Sequence, residues 1–268
     1  MTSWKNSNVL KSRRLVEEVL DPVKKSEKVV AENLQHLRKL IYERIKDQGF
    51  KADLNDIDTS NITDMSQLFA EAYRSDGGYD ILGSIGKPSD GIDFRRFDGD
   101  ISQWNVSSVT NMWAMFKDSV FNGDISNWNV SKVECMIFMF YGSKFNGDIS
   151  KWNVSKVESM NKMFLGSDFN GDISKWNVSR VRDMSHMFFH SRFDGDISNW
   201  NVERVREFGG MFTDSPFSQD LSKWNTLSLV NADGTFAGTK LAKNPPKWDL
   251  SNWKVLDTAE DGYERMGR

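Results

Sequence analysis

A period of 24 residues governs this chain. Phe97, Phe121, Phe145, Phe169, Phe193 and Phe217 recur at that interval. So do Trp104, Trp128, Trp152, Trp176, Trp200, Trp224 and Trp248, and Phe116, Phe140, Phe164, Phe188, Phe212 and Phe236. Self-similarity of this length is the mark of a fold made by stacking one supersecondary unit. A single unit cannot bury its own apolar face, so its neighbours must complete the core. The expected architecture is therefore an α/β repeat solenoid, in which most of the 10 Trp and 18 Phe are core columns.

One copy, Phe145 to Phe164 followed by Leu-Gly-Ser-Asp, shows what each unit is expected to form. Ile149, Trp152 and Val154 are spaced by three and two, the L-x-x-L-x-L pattern of a leucine-rich repeat, which predicts a short strand at about 149–154. Val157, Met160 and Phe164 follow at three and four, which predicts a short helix at about 156–165. Ser155-Lys-Val-Glu158 and Ser131-Lys-Val-Glu134 have the spacing of a capping box at the helix start. Gly147 is expected to relieve backbone strain in the return turn, and Asp148 to bond backbone amides there.

The repeat decays at both edges. Phe50, Leu54, Ile57, Thr59, Ile62, Met65 and Phe69 fit the frame, as do Leu241, Trp248, Leu250, Trp253 and Leu256. Counting these gives a solenoid of about eight repeats over 50–258, with an insertion at 71–93 and a tail at 259–268. The insertion reads as a long loop, with a degenerate repeat as the alternative. Residues 1–49 do not repeat. Val30, Leu34, Leu37, Leu40, Ile41 and Ile45 form one apolar stripe at helical spacing, with Asp21-Pro22 a plausible start and Gly49 a plausible stop. An earlier helix is expected from about Ser7 to Leu20. Solenoids need shielded ends, so 1–49 is expected to be an α-helical N-terminal cap, with an oligomerisation or targeting helix as the alternative.

Composition narrows the function. Net charge is -3 and charged residues make up 27%, which gives no reason to expect nucleic acid. The single cysteine, Cys135, excludes an internal disulfide and reads as a small core residue. His36, His186 and His190 form no metal-type cluster. Nothing approaches the ~18 apolar residues of a membrane span, and no secretory signal is visible, so the chain as written reads as cytoplasmic.

The full unit Phe-Asn-Gly-Asp-Ile-Ser-x-Trp-Asn-Val-Ser-x-Val-x-x-Met-x-x-Met-Phe resembles that of the BspA-like leucine-rich-repeat proteins, in the Trp-bearing branch found in mycoplasma lipoproteins and bacterial surface proteins. The stretch from Asp56 to Phe69 resembles that branch's opening repeat. The resemblance implies a leucine-rich-type solenoid with a binding or adhesion role, no catalytic residues and no cofactor. It also implies a surface or secreted location, reached here by a non-classical route.

In so regular a repeat, a site shows as a stripe along one face. Lys151 and Lys175 should project from the strand face beside Asn153 and Asn177, and Arg180, Arg182, Arg204 and Arg206 form the densest positive cluster. These eight residues are the candidate surface for a protein partner of acidic character. A solvated face with a structural Asn ladder is the alternative reading. The Asp column at 100, 124, 148, 172, 196 and 220 supplies too few ligands per turn for calcium. The Trp column points inward, away from sugars. The expectation is a non-enzymatic protein–protein interaction module, with an adhesin-like or glycan-binding protein as the alternative. The acidic residues of the 71–93 insertion, Asp76, Asp80, Asp90 and Asp93, are the one place for a hidden catalytic site.

Overall fold

The computed structural model describes residues 27–70 and 92–243. The expected helix at Ser7–Leu20, most of the 71–93 insertion, the worn copy beyond Lys243 and the tail lie outside the described residues. The regular elements, in order, are β1 (Val29–Val30), α1 (Leu34–Gln48), β2 (Ile57–Asp58), a 3-10 turn (Phe94–Arg96) and α2 (Lys240–Lys243).

Between Phe97 and Thr239 the chain runs in coils of 24 residues, each built from turns. The Phe, Ile, Trp, Val, Met and Phe columns are all buried and belong to one continuous core. Phe121 and Phe145 stack with ring centroids 6.3 Å apart, Phe140 and Phe164 at 5.5 Å, and Trp128 and Trp152 at 6.5 Å. Each buried indole N–H donates to a carbonyl one coil back, Trp152 Nε1 to Ile125 O at 3.0 Å and Trp176 Nε1 to Ile149 O at 3.0 Å. Among the described residues the aromatic core therefore carries no unpaired indole donor.

Coil is joined to coil mainly through the segment expected to be helical. The amides of Phe138, Phe140 and Gly142 donate to the carbonyls of Asn161, Met163 and Leu165, and those of Lys162, Phe164 and Gly166 donate to Ser185, Met187 and Phe189. Single parallel bridges run through Asn111, Cys135, Ser159, Asp183, Glu207 and Asn231. Within each coil the intervening amides close tight turns, Met163 N to Met160 O at 3.1 Å and Leu165 N to Lys162 O at 3.3 Å.

The strand and helix expected in every repeat are thus replaced by turns, for identifiable reasons. Asp148 and Asn153 accept the amides of Ser150 and Ser155 at 2.9 and 3.1 Å, which bends the 149–154 stretch where a strand would need those groups extended. The capping box does not form. Glu158 N donates instead to Glu134 O on the preceding coil. Lys162 and Gly166 have φ of +54° and +63°, incompatible with a right-handed helix. A helix this short is also marginal, below the ~12–15 residues at which isolated helices persist, whereas the next coil offers carbonyls at strand spacing. Gly147 has no positive φ. A Cβ there would sit 2.9 Å from the Phe145 ring, so its role is close approach rather than strain relief.

At the N-terminal end, α1 starts later than expected. Asn33 caps it by accepting the His36 amide at 2.9 Å, and Gly49 ends it at φ +80°. Val30 lies in β1 instead, because the amides of Val29 and Ala31 pair with Asp56 O and Asp58 O of the first coil. Leu37, Leu40, Ile41 and Ile45 enter the common core. Arg38 is buried beside them and its Nη2 donates to Ser66 O at 3.3 Å and Gln67 O at 2.5 Å. In later coils the carbonyl equivalent to Ser66 O accepts an amide from the coil before it. The guanidinium takes the place of that missing coil.

Candidate interaction face

The pairing pattern decides which side chains project. In the segment from Ser159 to Asp168, Met160, Met163, Phe164 and Ser167 point inward, while Asn161, Lys162, Leu165 and Gly166 do not. Stacked over successive coils, these positions make one face whose composition breaks the repeat. It carries Trp113, Ile137, Phe138, Tyr141, Leu165, His186 and Phe189, all half-buried, and the exposed His190. Trp113 meets Phe138 edge-on at 6.3 Å, Phe138 lies 5.7 Å from Tyr141, and Phe189 lies 5.6 Å from His186.

Three of these side chains sit where the backbone favours glycine. The position with left-handed φ is Gly at Gly210 and Gly234 but carries a side chain in every earlier coil, Gln67 (φ +54°), the buried Ala114 (φ +52°), Phe138 (φ +59°), Lys162 (φ +54°) and His186 (φ +55°). Holding a side-chain-bearing residue there costs ~1–2 kcal/mol. The fold has a cheaper solution and uses it from Gly210 onward. His186 Nδ1 is also buried without a hydrogen-bond partner, and burial holds the imidazole below its ordinary pKa.

The residues expected from sequence are placed as follows. Lys151 and Lys175 are exposed, as are Asn153 and Asn177. The two asparagines use their side-chain oxygens in turns, Asn177 accepting Ser179 N at 3.2 Å. The coil-to-coil ladder of side-chain amides is a different column: Asn122 Oδ1 accepts Asn146 N, and Asn146 Oδ1 accepts Asn170 N, each at 2.8 Å. Arg180, Arg182, Arg204 and Arg206 are exposed on adjacent coils, with Arg206 N donating to Arg182 O at 2.8 Å. Arg180 pairs with Glu158 at 3.6 Å. Arg180 and Arg204 lie within the Val178–Val181 and Val202–Val205 turns, and Arg182 and Arg206 follow them, whereas Lys151 and Lys175 precede the turn of their coils. Cys135 is half-buried on the bridging column rather than in the core, and burial raises its thiol pKa. Asp93, the described member of the insertion's acidic set, caps the 3-10 turn and pairs with Arg95 at 2.8 Å. The Asp148, Asp172 and Asp196 carboxylates lie below the ordinary range because each accepts hydrogen bonds from the serine two residues on.

The aromatic face was missed in the sequence, although its signal was there. The positions flanking the second Met of each repeat vary from copy to copy, and their variation is toward aromatics.

Together these features define a repeat protein with an invariant core and one variable, aromatic-bearing face. The family is more specific: a model described as Mycoplasma protein of unknown function, DUF285, matches residues 24–78, 92–170 and 166–261, and the chain belongs to that family. The interval between the first two matches, 79–91, falls inside the expected insertion. No curated protein and no solved structure matches the chain. Among the described residues no helix is long and apolar enough to cross a membrane.

Proposed function

We propose that the chain is a non-enzymatic protein-interaction module: a solenoid of leucine-rich type, capped by α1, whose working surface is the aromatic face of coils 111–190. The observation that carries this reading is the outward, half-buried set Trp113, Phe138, Tyr141 and Phe189, which breaks the repeat while the core columns stay constant. Aromatic side chains that project from the coils without joining the core leave apolar surface for a partner to cover. The resemblance of the repeat unit to that of BspA-like proteins supports the same role. The basic residues Lys151, Lys175, Arg180, Arg182, Arg204 and Arg206 are a second, weaker surface for long-range attraction of an acidic partner.

A crosslinking and capture screen tests the proposal, run with the native chain, a Tyr141→Ser/Phe189→Ser variant and a Lys151→Glu/Lys175→Glu variant. The expected result is a partner captured by the native chain, lost with the aromatic variant and retained, more weakly, with the lysine variant. An identical set of captured proteins from all three would overturn the proposal.

A further inference from the structure

We infer that the partner of the aromatic face is a protein segment combining acidic with apolar side chains; the inference rests on the binding role proposed above. Its basis is how the cations of this face are held. Lys117 Nζ lies 5.3 Å from the Tyr141 ring centroid, and Lys162 Nζ lies 5.4 Å from that of Phe138. An ammonium held over a ring keeps its full charge while giving up side-chain freedom in advance, so a carboxylate arriving there meets a cation already in place.

Further cations line the border of the face, each with a carboxylate nearby. Lys144 and Arg192 share one carboxylate, Asp168, at 3.1 and 3.0 Å, and Lys117 has Asp118 at 3.6 Å. Asp214 meets His190 at 3.4 Å and Asp183 accepts from Asn161 at 3.2 Å, so the border carries both signs and the cations that stand over the apolar rings are Lys117 and Lys162. Between these cations run Tyr141, Leu165 and Phe189, one from each of three successive coils. Ammonium groups standing over an apolar track complement a segment bearing carboxylates and apolar side chains together. A glycan fits less well, because a lysine ammonium already stands over one face of each of the Phe138 and Tyr141 rings.

The test is selection from a random-peptide display library on the full chain, with the Lys117→Glu/Lys162→Glu and Tyr141→Ser variants in parallel and a thermal melt of each to confirm folding. The expected winners are rich in Asp or Glu and in large apolar residues. They should bind the charge-reversed variant at least about tenfold more weakly, and should weaken as ionic strength rises. Winners that are basic or neutral, or glycan-array binding in their place, that are still lost with Tyr141→Ser would overturn the acidic chemistry and leave the face standing. No winners, or winners indifferent to Tyr141→Ser, would overturn both.

Discussion

Left-handed backbone at two positions per coil sets much of the chemistry at the scale of single residues. Gly166 and Lys162 occupy such positions four residues apart in one coil, with φ of +63° and +54°. A Cβ on Gly166 would meet nothing closer than 4.0 Å, so Gly166→Ala isolates conformational strain from steric conflict. It should cost ~1 kcal/mol, while Lys162→Gly should gain up to about the same, and opposite shifts in melting temperature would register both. His186 makes a second residue-scale prediction. Its folded pKa is depressed below 6.5 by burial, so the unfolded chain binds the proton more tightly and stability is lost as pH falls through and below 6.5. The lowered carboxylates Asp148, Asp172 and Asp196 contribute in a separate window, below their unfolded value of 3.8. Melting temperature followed from pH 7.5 to about 5 should therefore decline, and His186→Asn should flatten that decline.

The elements show where sequence pattern was sufficient and where it was not. The period, the inward Phe, Trp, Val and Met columns and the stripe on α1 were legible, because burial depends on residue type and spacing. The strand and helix in each repeat were not, because two features override the pattern. Asx turns at Asp148 and Asn153 consume the amides of Ser150 and Ser155, and pairing between coils consumes those of Lys162, Phe164 and Gly166. Neither is encoded in hydrophobic periodicity. The aromatic face stayed hidden for the same reason, since a helix would have turned Phe138 and Lys162 differently. Arg38 was equally invisible as the group that closes the open edge of the first coil. Its guanidinium is charged at neutral pH even though burial lowers its pKa to about 10. Arg38→Ala leaves the carbonyls of Ser66 and Gln67 without those donors and should cost ~2–3 kcal/mol. Hydrogen exchange should show the loss concentrated in α1 and the first coil rather than spread over the molecule.

Across the whole molecule, stability is a sum over coils and their shared faces. Trp152 stacks on Trp128 and is nearly fully buried, so Trp152→Ala should cost ~3–5 kcal/mol, seen as a large drop in melting temperature. Replacing the half-buried Tyr141 should cost far less, which separates the core that holds the coils from the face that the coils hold out. That separation rests on one claim, that coils are joined amide to carbonyl through the Met160–Gly166 segment. Amide hydrogen exchange through that segment tests it most directly. Met160, Lys162, Phe164 and Gly166 donate to the next coil and should exchange slowly, while Asn161, whose amide has only the Ser159 hydroxyl at 3.4 Å, should exchange fast between them. Unbroken protection from Met160 to Gly166, as a continuous helix would give, would contradict the account.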